Sequence, residues 1–246
     1  MKITDHFHES WEPIIPLLFQ DTLRHLNQEV LPNIKYLPEK ENIFKVFSMP
    51  VQDIKTVILG QDPYPNIGVP IGRAFAVSEE TKIPVSLRII EKEIHNSTGT
   101  RVPGDDDDCV SGSWRTLDHW EKQGVFLLNC ALTVQANKAG SHLVHWEQFT
   151  NRVIEFISRT NPCVWMLWGR KSQEKRLYIH REPFFVHGYN RDNIKDIPKN
   201  DSYNYILQAA HPAAEAYRQG AGFYGCDHFH LANEILMGLR KEPIIW

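Results

Sequence analysis

Three side chains with chemically useful groups stand at or just after the ends of apolar segments in this chain. They are the carboxylate of Asp62, the amide of Asn129 and the imidazole of His211. An anion and hydrogen-bond donors brought to one place can stabilise the opposite charges that develop while a bond breaks. We therefore ask which elements would bring these three groups together.

Four apolar segments lack the alternation of a half-buried strand, which indicates strands buried on both faces of a parallel sheet. Helical patterns separate them, so we predict one α/β domain over residues 1–246: a four-stranded, right-handed parallel sheet with helices on both faces. The segments are TVIL (56–59), VFLLN (125–129), CVWMLWG (163–169) and YNYILQAA (203–210). Ligands bind such sheets at the carboxyl ends of the strands, where Asp62, Asn129, Gly169 and His211 would lie.

The segment GQDPYP at 60–65 closes the first strand. Its glycine and two prolines cannot continue a central strand, so we expect Gln61, Asp62 and Tyr64 on a stiff loop. An Asp-Pro turn without any catalytic role is the alternative for this segment taken alone.

Helical spacing of apolar residues predicts further elements. A helix over 11–30 and a short helix near Ile43–Phe47 precede the first strand. Ser86 is a natural cap for a helix that continues to about residue 95, and Asp227 for the helix that carries Phe229. The other expected elements are a helix over 146–159 and an exposed loop over 96–113, which contains four consecutive aspartates.

The composition argues against several classes of protein. A net charge of −3 lacks the basic excess of proteins that coat nucleic acid nonspecifically, and the four cysteines form no CxxC pair. No apolar run has the length of a membrane span, and the first residues are polar and acidic, unlike a signal peptide. We expect a cytoplasmic protein, or a nuclear one in a host with a nucleus, that does not associate with membranes.

A cluster of basic residues follows the third strand. It could contact phosphates near the carboxyl edge of the sheet, or it could be a solvated helix face. The sequence leaves both interpretations open for Arg170, Lys171, Lys175, Arg176 and Arg181.

Four segments in order resemble the motifs of the family-1 uracil-DNA glycosylases, and the resemblance extends from about Trp11 to Trp246. GQDPYP is similar to the water-activating motif, GRAFAV to the base-stacking motif, KQGVFLLNCALTV to the uracil-reading motif and LQAAHPAAEAYRQGAGFYGCDHF to the DNA-penetrating loop. The resemblance implies a monofunctional, monomeric enzyme that needs no metal or cofactor. It would flip uracil out of single- or double-stranded DNA, hydrolyse its N-glycosidic bond and leave an abasic site.

The resemblance also implies roles for the residues of the site. Asp62 would stabilise the oxocarbenium-like sugar and orient the attacking water, and neutral His211 would donate to the uracil carbonyl that becomes anionic. Asn129 would read the uracil edge, provided that a bond from a neighbouring group keeps its amide from flipping.

The remaining substrate contacts involve two aromatic rings and one backbone group. Tyr64 would exclude the thymine methyl group, and Phe75 would stack on the flipped base, although both could also be core aromatics. Gln61 would contribute its backbone N–H.

The resemblance places further residues against DNA: Pro65, Ser86, Gly169, Arg170, Pro212, Ala213, Ala214, Glu215 and Arg218. Several depart from the common family pattern. Pro65 replaces a histidine, Ala213 a serine and Ala214 a proline, as in a poxvirus-like branch of the family. Glu215 replaces the leucine that enters the DNA stack, from which we expect weaker action on uracil paired with adenine.

The segment from Glu182 to Asp201 is longer than the usual family turn. It is either a surface insertion or a further DNA contact, in which case Phe185 or Tyr189 would supply the missing wedge.

Two other functions compete with the enzyme. A DNA-binding or replication accessory protein on the same fold would have no need for Asp62, Asn129 and His211 together. A metal-dependent hydrolase would have to use Cys226, Asp227, His228 and His230, whose spacing matches no usual zinc site.

Overall fold

The computed structural model describes residues 6–18, 35–100 and 113–246. Within them, the strands in chain order are β1 (Tyr36–Leu37), β2 (Thr56–Gly60), β3 (Val125–Asn129), β4 (Val134–Gln135), β5 (Val164–Trp168), β6 (Pro183–Phe185) and β7 (Asn204–Ala209). Five of them form a parallel sheet in the order β3-β2-β5-β7-β6, while β1 and β4 form a separate antiparallel pair. The predicted α/β class is confirmed.

The expected number of four strands is wrong, because β6 extends the sheet beyond β7. The four predicted strands are all present, and every residue of β2, β3 and β5 is buried. Alternate residues of β2 enter different apolar clusters: Ile58 packs in one, and Val57 and Leu59 pack in the other. The sheet is therefore covered on both faces, as the lack of alternation predicts.

The helices in the described residues are α1 (Ile15–Leu18), α2 (Val85–Thr98), α3 (Ser113–Thr116), α4 (Asp118–Glu121), α5 (Leu143–Thr160), α6 (Arg170–Glu174) and α7 (His228–Gly238). The helices expected over 86–95 and 146–159 are confirmed as α2 and α5. The short helix expected near Ile43–Phe47 is a pair of 3-10 turns, Lys40–Asn42 and Lys45–Ser48. Much of the helix expected over 11–30 and of the acidic loop lies outside the described residues.

No helix of the described ranges is long and apolar enough to cross a membrane.

Neither predicted cap works as expected. Pro84 is the N-cap of α2, and Ser86 lies inside the first turn, where its hydroxyl bonds to Tyr64 instead. Asp227 does occupy the N-cap position of α7, but it makes no side-chain capping bond. Its carboxylate accepts hydrogen bonds from Arg191.

The segment from Glu182 to Asp201 is integral to the domain. It contributes β6, and the Phe184 ring stacks on Tyr203 with the two centroids 5.6 Å apart. Phe184 and Tyr189 both pack against the core cluster. The interpretation of this segment as a mere surface insertion is therefore wrong.

Asn204 anchors the first residue of β7, the strand that leads to His211. Its side chain is fully buried, and its oxygen accepts a hydrogen bond from the indole N–H of Trp165 at 2.8 Å. Its amide nitrogen, which carries two hydrogens, lies within hydrogen-bond distance of three backbone carbonyls, those of Ser158, His180 and Arg181. One side chain thus joins β7, β5 and the end of α5.

We predict that Asn204→Ala lowers the free energy of unfolding by about 3 kcal/mol, since it leaves several buried polar groups without partners. Urea unfolding should show a lower midpoint with an unchanged slope. Asn96→Ala, on the exposed face of α2, is the matched control and should change stability little. A loss below about 1 kcal/mol for Asn204→Ala would contradict this account of the anchor.

Candidate active site

The carboxyl edge of the sheet contains a cavity of about 220 Å³ where β2, β3 and β7 end. This volume is below the ~300–1,000 Å³ of drug-sized pockets, so the cavity suits a single small ring. The structure brings all six predicted catalytic and substrate-binding residues into its wall. The lining residues are Gly60, Gln61, Asp62, Pro63, Tyr64, Pro65, Arg73, Phe75, Ser86, Asn129 and His211.

Asp62 is held by hydrogen bonds from two neighbours. Gln61 donates from its side-chain amide to Oδ1 at 3.0 Å, and the backbone N–H of Gly140 donates to Oδ2. Burial raises the pKa of Asp62, while these two bonds act in the opposite direction. The carboxylate is thus held in a fixed orientation, and its two hydrogen bonds do not fully offset the cost of burying its charge. A positive charge that develops nearby would interact favourably with it.

Tyr64 is fixed against the start of α2. Its hydroxyl lies 2.7 Å from the hydroxyl of Ser86 and donates to the carbonyl of Phe75 at 3.3 Å. Burial raises the pKa of Tyr64 to about 12, so the phenol stays neutral. A fixed ring in the cavity wall can limit the width of any planar ligand. Ser86, predicted to contact DNA, has this supporting role in the structure.

Phe75 has a backbone conformation that favours glycine, with a φ of 65°. Its ring lies 5.4 Å from the Trp168 ring and 5.8 Å from the His211 ring, measured between centroids. A bulky residue in the left-handed region is strained, and such strain is concentrated at binding and catalytic sites. The ring is buried in one of the two apolar clusters and at the same time forms part of the cavity wall.

Asn129 stands directly opposite Gly60 in the parallel register of β2 and β3. A Cβ atom added to Gly60 would lie 2.3 Å from Oδ1 of Asn129 and 2.9 Å from the Cβ of Ala74. Among the residues that the structure describes, no neighbouring group hydrogen-bonds the Asn129 side chain. Packing against Gly60 restricts this amide, and the expected fixing bond is not found there.

His211 is held in one tautomer. Its Nδ1 accepts a hydrogen bond from the backbone N–H of Ala213 at 3.2 Å, so a neutral ring carries its proton on Nε2. Burial lowers the pKa of His211, which favours the neutral form. The imidazole is therefore a hydrogen-bond donor through Nε2.

Gly169 allows the His211 backbone to approach β5. It has a φ of 85°, and an added Cβ would lie 2.8 Å from the Cβ of His211. This close contact gives Gly169 a packing role whether or not its backbone also meets DNA.

Comparisons with known proteins identify the family. The family model described as the uracil DNA glycosylase superfamily matches residues 48–237. A uracil-DNA glycosylase of Aliarcobacter butzleri is 40% identical over 213 residues, which cover 85% of each chain. One of Francisella philomiragia is 39% identical over 233 residues, 93% of this chain and 92% of the relative. The chain belongs to the uracil-DNA glycosylase superfamily.

Solved structures show the same fold. The crystal structure of mimivirus uracil-DNA glycosylase aligns with a TM-score of 0.75 and 22% identity over all of this chain and 89% of the other. A structure from Nitratifractor salsuginis aligns with a TM-score of 0.58 and 19% identity, covering 94% and 93%.

Glu215 departs from the role expected at the family's wedge position. The residue is only 9% exposed, and its carboxylate accepts hydrogen bonds from the backbone N–H groups of Ala221, Gly222, Phe223 and Tyr224. These bonds, led by the one from Phe223, lower the pKa of Glu215. The side chain at the wedge position therefore turns inward, where its carboxylate holds the loop together. Arg218 is exposed nearby, and Pro212 is buried.

The basic cluster does not form a continuous patch on this glycosylase. Arg170, which is 90% exposed, and Lys171 both pair with Glu174. Lys175 is buried and donates to Asn151 at 2.7 Å. Of these three residues, Arg170 is the most exposed.

Two residues of the postulated metal site have other partners. His228 accepts the indole N–H of Trp168 at 3.0 Å, and Cys226 lies against the Glu93 carboxylate. In the described parts of the chain, no three His, Cys, Asp or Glu groups are placed to hold a metal ion.

Two residues of the site were not identified from the sequence. Gly140 supplies the N–H that holds Asp62, and its only sequence signal is a glycine in the turn after the second predicted strand. Arg73 contributes to the cavity wall, and its guanidinium pairs with Asp118 and Glu121 on α4. Because these acidic partners are distant from Arg73 in the sequence, no local pattern predicts the ion pairs.

Proposed function

We propose that this protein hydrolyses the N-glycosidic bond between uracil and deoxyribose in DNA and leaves an abasic site. One observation carries the proposal: the Asp62 carboxylate, the Asn129 amide and a His211 ring protonated on Nε2 line a single small cavity. The relatives named uracil-DNA glycosylase agree with it. This reaction is the first step of base excision repair.

In the proposed reaction, the electrons of the glycosidic bond leave with uracil. The sugar becomes cationic, and the half-buried Asp62 carboxylate stabilises it and orients a water molecule toward C1′. The uracil oxygen between the two ring nitrogens becomes anionic and accepts the Nε2–H of His211. Because both groups are positioned before the reaction, little reorganisation is needed as charge develops.

The proposed pocket selects uracil by shape and by hydrogen bonding. Asn129 accepts the imide N–H and donates to the adjacent carbonyl, a pattern that cytosine does not match. Tyr64, anchored to Ser86, occupies the space of a thymine methyl group, and Phe75 stacks on the ring. The N–H of Gln61 supplies a further backbone donor.

We further propose that the enzyme acts as a monomer on single- and double-stranded DNA, in the cytoplasm or in a nucleus. Pro65, Gly169, Arg170, Ala213, Ala214 and Arg218 would meet the DNA backbone. All the proposed roles belong to protein groups, so activity should survive excess EDTA.

The decisive test is uracil release from oligonucleotides with one uracil, followed by alkali to cut abasic sites. Asp62→Asn and His211→Ala should each slow the single-turnover rate by at least about a hundredfold while DNA affinity changes little, since both act on transition-state charge. Asp53→Asn and His187→Ala change exposed residues of the same types and should keep full activity.

Near-wild-type rates in both site variants would refute the catalytic assignment. No uracil release by the wild type, together with tight DNA binding, would favour the accessory protein on the same fold.

A second prediction concerns specificity. Tyr64→Ala should release thymine, because it makes room for a methyl group, and Asn129→Asp should release cytosine, because a carboxyl oxygen can accept from the cytosine amino group. Both variants should act on uracil more slowly than the wild type does. Duplexes with G-opposed uracil, thymine or cytosine measure these rates, and the absence of both new activities would refute the pocket model.

A further inference from the structure

Tyr217 is the most exposed of the large apolar side chains in the described residues, with 91% of its surface accessible. It lies six residues after His211, at the end of the 3-10 helix Pro212–Ala216. At ~2.0 Å per residue, this helix places Tyr217 on the order of 10 Å from His211. A flipped base lies outside the stack that it has left, so a ring that fills the stack must stand at a distance from the residue that contacts the base.

The backbone that presents Tyr217 is held firmly. The N–H of Tyr217 donates to the carbonyl of Ala214 at 3.1 Å, and the N–H of Arg218 donates to the same carbonyl at 2.9 Å. On the buried side of the loop, the Glu215 carboxylate accepts hydrogen bonds from the backbone N–H groups of residues 221–224. The exposure of the ring is therefore a property of a fixed loop.

A second buried carboxylate ties the same loop to α2. Glu93 has no exposed surface, and it accepts the backbone N–H groups of Gly225 at 2.9 Å and Asp227 at 3.0 Å. Helix α2 also carries Ser86 in the cavity wall. The loop over residues 212–227 thus begins at His211, in the cavity wall, and is bound near its other end to α2.

We propose that Tyr217 stacks into the DNA duplex at the place that the extruded uracil vacates. This proposal rests on the proposed function and extends it to paired substrates. Extrusion of a paired base costs a few kcal/mol, and a side chain that fills the vacated stack offsets part of this cost. An aromatic ring can do so without desolvating a charge, whereas the Glu215 carboxylate cannot.

The test compares single-turnover uracil release from A-opposed duplex and from single-stranded DNA. Stacking on an aromatic ring contributes about 1–3 kcal/mol per base, so Tyr217→Ala should slow release from the duplex by roughly 5- to 150-fold. Release from single-stranded DNA, which has no paired stack to fill, should change by less than about threefold. Tyr217→Phe should retain most of the duplex rate, because the proposal uses the ring and not the hydroxyl.

Two further variants sharpen the comparison. Leu177→Ala removes an exposed apolar side chain elsewhere, 71% accessible, and should leave both rates unchanged. Phe185→Ala tests the segment that carries β6. A duplex-specific loss in Phe185→Ala with none in Tyr217→Ala would overturn the proposal, and so would equal losses on both substrates in Tyr217→Ala.

A second measurement does not depend on cleavage. In an Asp62→Asn background, the fluorescence of 2-aminopurine next to an A-opposed uracil reports the stacking of the bases that flank the vacated place. Its change on binding should differ between the proteins with and without Tyr217→Ala, and an identical change would overturn the proposal, even if the proposed function proved wrong. Absence of uracil release from single-stranded DNA by the wild type would count against the proposed function alone. The unfolding temperature of Tyr217→Ala should match the wild type, since the side chain is exposed.

Discussion

The close approach of β2 and β3 at their carboxyl ends is the constraint on which the site depends. Gly60 has no side chain, and Asn129 and Ala74 occupy the space that one would need. The pairing continues beyond the strands, because Cys130 and Ala131 donate to the carbonyls of Gly60 and Gln61 at 2.9 and 3.0 Å. The loop that carries Asp62 is therefore aligned with the strand that carries Asn129, and a larger residue at position 60 would separate them.

Burial shifts the pKa values of the two titratable groups of the site in opposite directions, and both shifts bear on activity. It raises the pKa of Asp62 and lowers the pKa of His211. The active combination is an ionised carboxylate with a neutral imidazole. As the pH falls, Asp62 gains a proton and loses its charge, and His211 gains one and loses its neutral form. The low pKa of His211 therefore extends the active range toward acid, while the raised pKa of Asp62 limits it.

The sequence predicted those parts of the fold in which neighbouring residues form a clear pattern. Uninterrupted apolar segments predicted four buried strands, and their ends brought Asp62, Asn129 and His211 to one edge. Strand β6 escaped notice because it is three residues long, begins with proline and has two exposed residues. Hydrogen-bond partners that are distant in the sequence could not be predicted either. Ser86 is a residue type that commonly caps helices, but its hydroxyl bonds to Tyr64. Glu215 occupies a position expected to face DNA, but its carboxylate turns inward to four backbone N–H groups. Tyr217 lies within the segment that resembles the DNA-penetrating loop, but only its exposure on a fixed loop distinguishes it from its neighbours.

The central claim is that His211 stands in the cavity as a neutral donor through Nε2. Nitrogen-15 NMR of the imidazole, recorded over a pH series, tests it most directly. We predict that near neutral pH Nε2 carries the proton, that Nδ1 is an acceptor, and that the ring titrates below the ordinary histidine value of ~6.5. An imidazolium near neutral pH, or a proton on Nδ1, would contradict the account.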